Sequence, residues 1–115
     1  MAKDSQMSTT IDFHLCPKFE QTFQMLGKKW NGLIIETLLV NGPQRFKCIA
    51  NVVSKCSDRV LVERLKELEE DGIITRRTFC DSSLIQYELT EKGEALGPIM
   101  EQIHEWSDQW CDIND

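Results

Sequence analysis

Up to Gly72 the apolar positions recur at helical spacing, and beyond it they alternate. Phe19, Phe23 and Leu26 stand at i, i+4 and i+7, the stripe of an amphipathic helix. Cys16-Pro17 starts that helix, because proline at the first helical position gives up an N–H that has no partner there. Gly27 ends it. A second helix is predicted over Trp30–Val40, with Trp30, Leu33, Ile34, Thr37 and Leu38 on its buried side. Asn41-Gly42-Pro43 stops it. A short third helix covers Phe46–Val53. Ser57 reads as the N-cap of a fourth, which runs to Glu70 and closes at Asp71-Gly72. Within it Val60, Leu61, Leu65 and Leu68 face inward, and Arg59, Val62, Glu63 and Lys66 face outward.

After Gly72 the period falls to two. Ile73–Phe79 and Ile85–Leu89 read as strands joined by the polar tip Cys80-Asp81-Ser82-Ser83. Thr90 then caps a last long helix whose apolar residues Leu96, Ile99, Met100, Ile103, Trp106 and Trp110 form one stripe. Two adjacent helices joined by a tight turn and followed by a β-hairpin is the winged helix-turn-helix plan. The predicted class is therefore α+β, a winged helix-turn-helix with additional N-terminal and C-terminal helices for dimerisation. Residues 13–112 form the domain and residues 1–12 a flexible segment.

At 115 residues the chain is one domain's worth. Its longest apolar runs, such as Leu33-Ile34-Ile35, fall far short of the roughly 18 residues a membrane span needs. The polar amino end lacks a signal-peptide core, which places the protein in the cytoplasm. Five scattered cysteines with no C-x-x-C pair are neither a disulfide framework nor a zinc-ligand spacing. His14 beside Cys16 lacks companion ligands, so neither metal nor cofactor is expected.

The net charge of −6 argues at first against nucleic acid, but its distribution reverses that. Residues 1–43 are neutral, residues 44–77 carry +2 and residues 78–115 carry −8. A basic middle followed by an acidic tail suits a DNA-reading module joined to a helix that stays off the DNA. The amino end of a recognition helix enters the major groove. Ser57, Asp58, Arg59, Val62 and Glu63 occupy those places, with Lys66 a turn further on. Arg59 suits guanine O6 and N7, Glu63 or Asp58 suits cytosine N4, and Val62 suits a thymine methyl. Asp58 equally complements the helix dipole. Arg45, Lys47 and Lys55 flank the turn and suit phosphates. Arg76 and Arg77 lie on opposite faces of the first wing strand, so that one can reach the DNA backbone while the other pairs with an acidic neighbour. Arg64, beside the buried stripe, suits an internal salt bridge.

Several stretches, in order, resemble the HxlR-type group of bacterial regulators, relatives of the MarR class. They are Cys16-Pro17, Gly27-x-Lys29-Trp30, Gly42-Pro43-x-Arg45-Phe46 and Ser57-x-x-x-Leu61-x-x-Arg64-Leu65-x-x-Leu68-Glu69. Asp71-Gly72-Ile73-Ile74-x-Arg76, Tyr87-x-Leu89-Thr90-x-x-Gly93 and Trp106 continue the series. The chain departs from the group at Lys28, where a second glycine is usual, at the wing tip, which lacks proline, and at Gln86, where an acidic residue is usual. The resemblance implies a homodimeric transcription factor, often controlling detoxification of oxidants or electrophiles, and often sensing through the amino-terminal cysteine. It implies double-stranded DNA with an inverted-repeat operator as the partner.

Cys16 also has a physical reason to react. At a helix N-cap the free N–H groups and the helix dipole favour a thiolate. Cys48 and Cys111 are its candidate partners, Cys80 lies on the wing, and Cys56 falls where the group carries an apolar turn residue. Phe19, Phe23, Leu96, Ile99, Met100, Ile103, Trp106 and Trp110 are the candidate dimer interface, more large apolar side chains than a compact monomer leaves bare. Two other readings keep the fold: regulation by a small ligand between the helices, and a winged helix that binds only protein. No paired-carboxylate, Ser/His/Asp or phosphate-loop constellation supports an enzyme.

Overall fold

Residues 16–113 are described in the computed structural model. They run α1 (Pro17–Leu26), α2 (Asn31–Asn41), α3 (Phe46–Val52), α4 (Asp58–Glu70), β1 (Ile74–Phe79), β2 (Ser82–Leu89), α5 (Glu91–Glu94) and α6 (Gly97–Trp110). The segment 1–12 and His14 lie outside the described residues. No helix among those described is long and apolar enough to cross a membrane.

The boundaries have local causes. Ser57 is extended, and its hydroxyl accepts a 3.2 Å hydrogen bond from the Val60 N–H, closing one of the four orphan donors of α4. Gly42 and Gly72 take φ of 76° and 78°, the left-handed region where a side chain is strained. Trp30 enters the same region at φ 81°, which costs a non-glycine residue about 1–2 kcal/mol. The Asn31 amide holds this turn by donating from Nδ2 to the Met25 carbonyl at 2.8 Å.

The core joins all layers. Ile34, Ile35 and Leu38 of α2 meet Ile49 and Val53 around α3, and Leu61, Leu65 and Leu68 of α4. Ile73, Ile74 and Leu89 at the base of the hairpin complete it. Strands β1 and β2 pair antiparallel from Ile74↔Leu89 to Phe79↔Ser82, with an irregularity between Thr78 and Phe79. Gln44 makes an additional bridge to Tyr87, exchanging N–H···O bonds of 2.9 and 2.8 Å. That bridge ties the approach to α3 onto the wing, a feature the alternation pattern does not reveal.

Several expectations need correction. Leu33 is 53% exposed, and Ile35 takes its place in the core. Leu33 lies roughly 200° around the helix from Ile35, so the stripe centred on Ile34 and Ile35 must turn it outward. Trp30 and Val60 are half-buried rather than buried. Strand β2 begins at Ser82, three residues early, which leaves Cys80-Asp81 as the whole tip. The last helix is two helices. Thr90 caps the short α5 by accepting from the Gly93 N–H at 3.1 Å, the chain turns at Ala95-Leu96, and Pro98 opens α6 in its first turn.

Gly93 is where α5 touches the hairpin: a Cβ there would stand 2.2 Å from the Ile73 carbonyl oxygen and 2.8 Å from Leu89 Cδ2. At Gly97 a Cβ would meet only Leu39 Cδ2, at 3.6 Å. Gly93→Ala is therefore expected to destabilise by about 1–3 kcal/mol through overpacking, with Gly97→Ala close to neutral. Urea unfolding midpoints compare the two, and equal midpoints would overturn the close approach.

Candidate nucleic-acid interface and thiol groups

Burial of Leu61, Leu65 and Leu68 decides which side of α4 meets solvent. Ser57, Asp58, Arg59, Val62, Glu63 and Lys66 are all exposed on the opposite side, most of them towards the amino end. Arg45 is the extended N-cap residue of α3, Lys47 lies in its first turn, and Lys55 sits in the connection to α4. All three are exposed. Among the described residues Arg45, Lys47, Lys55, Arg59, Lys66 and Arg76 join no ion pair, which leaves their charges available to an anion.

The two wing arginines divide as the alternation predicts. Arg77 Nη1 lies 3.1 Å from Glu88 Oε1, and its guanidinium lies 5.6 Å from the centre of the Phe79 ring. Arg76 faces the other way, opposite Tyr87, and is exposed. Arg64 is internal: Nε donates to the Lys29 carbonyl at 3.1 Å, and Nη1 lies 3.5 Å from Glu67 Oε1. The turn between α1 and α2 is thereby fastened to the helix that carries Arg59.

Cys16 is the N-cap residue of α1, and its carbonyl accepts from the Glu20 N–H at 2.7 Å. Its backbone is already helical, and its side chain takes no capping bond. The half-exposed thiol opens instead on a shallow groove of about 470 Å³, shared with Phe19, Glu20, Phe23 and Gln24. Cys48, Cys80 and Cys111 are exposed. Cys56 is buried as a small apolar group, and burial pushes its thiol above the ordinary range despite the opposing charge of Arg64.

The apolar stripe of α6 splits. Leu96 and Met100 are buried in the core of their own chain, so they do not belong to an exposed seam. Ile99, Ile103, Trp106 and Trp110 remain uncovered, the two indoles at 61% and 65% exposure. Phe19 and Phe23 of α1 are uncovered too, their ring centres 4.8 Å apart. Leu33 and Val40 of α2 add to the bare apolar surface. Val40 falls off the predicted buried face, so its exposure follows from the same pattern.

The model of the HxlR-like helix-turn-helix family matches residues 25–115. The HTH-type transcriptional regulator YodB of Bacillus subtilis (strain 168) is 44% identical over 102 residues, covering 88% of this chain and 90% of YodB. The quinone-bound structure of YodB superposes with a TM-score of 0.74 at 46% identity, over 83% of this chain and 99% of that one. The redox regulator HypR in its oxidized form gives a TM-score of 0.74 at 32% identity, over 84% of this chain and 99% of HypR. By family match, fold and relatives, the chain belongs to the HxlR-like helix-turn-helix transcriptional regulators.

Proposed function

We infer that this regulator is a cytoplasmic, homodimeric repressor that reads an inverted-repeat operator and releases it when Cys16 meets an oxidant or electrophile. The observation that carries the reading is the pairing of a helix that presents Arg59 and Lys66 to solvent with a half-exposed cysteine at the start of α1, whose following turn is bonded to that helix through Arg64 and the Lys29 carbonyl. Arg59 reads a base, with Asp58, Val62 and Glu63 beside it. Ser57 and Lys66 bound that surface, while Arg45, Lys47, Lys55 and Arg76 hold phosphates. Arg77 is held by Glu88 and contributes at most through its position on the wing.

The chemistry at Cys16 has two balanced forms. Its thiolate can add to a quinone ring carbon, and proton uptake then leaves a hydroquinone thioether. Alternatively, two thiols lose two electrons and two protons to diamide, giving one disulfide and the hydrazine form of the reagent. Cys48 and Cys111, both exposed, are the candidate second thiols. YodB has been solved with quinone bound and HypR in an oxidized form, which supports this class of effector here.

Dimerisation rests on surface. Phe19, Phe23, Ile99, Ile103, Trp106 and Trp110 are all uncovered in one chain. Covering each is worth roughly 1.5–3 kcal/mol, and a two-fold copy of the same patch is the natural cover. Such a pair sets its recognition helices about 34 Å apart, one turn of DNA.

Four expected outcomes test this reading. Arg59→Ala is expected to weaken specific binding by about 1–3 kcal/mol and to relax preference at one position per half-site. Arg45→Ala instead weakens binding evenly across sequences and flattens the salt dependence. Electrophoretic titrations against operator variants separate the two, and an Arg59→Ala protein as selective as wild type would refute the register. Cys16→Ser should keep its DNA affinity in reductant yet no longer release DNA under diamide or quinone. Wild-type protein that is indifferent to both reagents would remove the thiol switch. Charged replacements at Ile103 and Trp106 should give monomers that lose the operator with α4 untouched; sedimentation of a monomeric wild type at micromolar concentration would contradict the dimer.

A further inference from the structure

The thiol-bearing helix is held lightly. Every residue of α1 from Pro17 to Gln24 is exposed, and only Met25 and Leu26 at its far end rest against the core. Within one chain, a change at Cys16 therefore reaches α4 through the end of α1 and the turn after it. That turn is strained and tied down. Trp30 sits at φ 81°, where L side chains are rare, and the Asn31 amide holds the end of α1 by donating to the Met25 carbonyl at 2.8 Å. Among the described residues two polar contacts join the turn to α4: the Lys28–Glu67 ion pair at 3.0 Å and the Arg64 Nε bond to the Lys29 carbonyl at 3.1 Å. The ion pair is exposed on both sides, where such pairs contribute little. The Arg64 bond is different. Its side chain is 17% exposed and its donor is charged. Its acceptor lies just before Trp30, whose own carbonyl takes the Ile34 N–H at the start of α2.

A hydrogen bond is directional and short-ranged. At 3.1 Å this one is lost once the Lys29 carbonyl shifts outward by about 0.5 Å. The apolar contacts of Met25 and Leu26 are non-directional and have no such threshold. Val62 and Glu63 immediately precede Arg64 on α4, so the side chain that grips the turn is rooted in the stretch offered to DNA. We propose that Arg64 is the positioning residue that couples the cysteine to the DNA-reading surface. Its bond to the Lys29 carbonyl holds α4 in the DNA-binding setting, and displacement of α1 after reaction at Cys16 breaks that bond and frees α4 to turn. This relay presupposes the thiol switch and adds to it the one bond through which the switch acts.

Two neutral variants of equal reach separate the bond from the charge. Counted along the side chain, glutamine carries its amide nitrogen where arginine carries Nε, so Arg64→Gln keeps a donor for the Lys29 carbonyl. Methionine carries a methyl group there, so Arg64→Met fills similar space and loses the bond. The full chain is treated with benzoquinone until peptide masses show Cys16 occupied. Its affinity is then compared with that of the reduced protein, on a duplex that the wild type selects from random sequence. The ratio of the two dissociation constants measures the coupling. A ratio of about 5–150, the span typical of linked sites, is expected for the wild type and for Arg64→Gln. Arg64→Met in reductant should already bind as weakly as modified wild type, which brings its ratio to about one at equal Cys16 occupancy. A structural role alone would weaken both forms alike and leave the ratio unchanged. Arg64→Met with the wild-type ratio, or Arg64→Gln as uncoupled as Arg64→Met, overturns the relay and leaves the thiol switch standing. A wild-type ratio of one overturns the switch and the relay with it. If Arg64→Met does not fold, proton–nitrogen spectra of the wild type decide: the Arg64 Nε–H signal is expected to shift when Cys16 is modified, and an unmoved signal overturns the relay.

Discussion

The structure turns on the rotation of α4 about its own axis. One face of that helix must be core and the other must stay bare, and a turn of roughly 100° per residue leaves no neutral setting between them. Leu61, Leu65 and Leu68 are almost completely buried against α2 and α3, each worth about 1.5–3 kcal/mol relative to exposure. Rotating the helix by one residue would expose part of that stripe and drive Arg59 or Glu63 towards the interior. The bond from Arg64 to the Lys29 carbonyl adds a polar stop at the helix midpoint. The outward presentation of Arg59 and Val62 is thus a consequence of leucine packing.

The parts of the fold readable in advance are those with local causes. Ser57 as a cap, Gly72 as a stop and the change of period after it depend on a few neighbouring residues, and each appears where the pattern places it. The phase of α2 does not have that property. Leu33-Ile34-Ile35 is a continuous apolar run, so periodicity leaves open which pair is central, and packing into the shared core settles on Ile34 and Ile35. The break between α5 and α6 was written in Gly97-Pro98, but the continuous stripe from Leu96 to Trp110 masked it. The bridge of Gln44 to Tyr87 has no sequence signature, because a single paired residue has no period.

The wing shows how a departure from family pattern is absorbed. Gln86 stands where the resemblance leads one to expect an acid, directly opposite Arg77. Arg77 reaches Glu88 instead, the diagonal neighbour on the same face of the antiparallel pair. The charge pairing survives a shift of one cross-strand position. Arg76, on the other face, stays clear of it. An acidic neighbour for one arginine was therefore predictable in kind, while its identity depended on register.

The five thiols divide along similar lines, and burial accounts for the division. Cys56 immediately precedes the cap of α4, so its distance from a helix amino end is much like that of Cys16, yet it is closed off by the core. Desolvation disfavours its thiolate more than the charge of Arg64 favours it. Its thiol titrates higher folded than unfolded. Its contribution to stability is therefore intact below the ordinary thiol range and is lost as pH climbs through the raised value. A buried, protonated cysteine is a poor nucleophile. Cys16 lies at the edge of the first described helix and lines an open groove together with Phe19 and Phe23, whose ring centres are 4.8 Å apart. Half-exposed beside those rings, Cys16 keeps the access to solvent that Cys56 has lost.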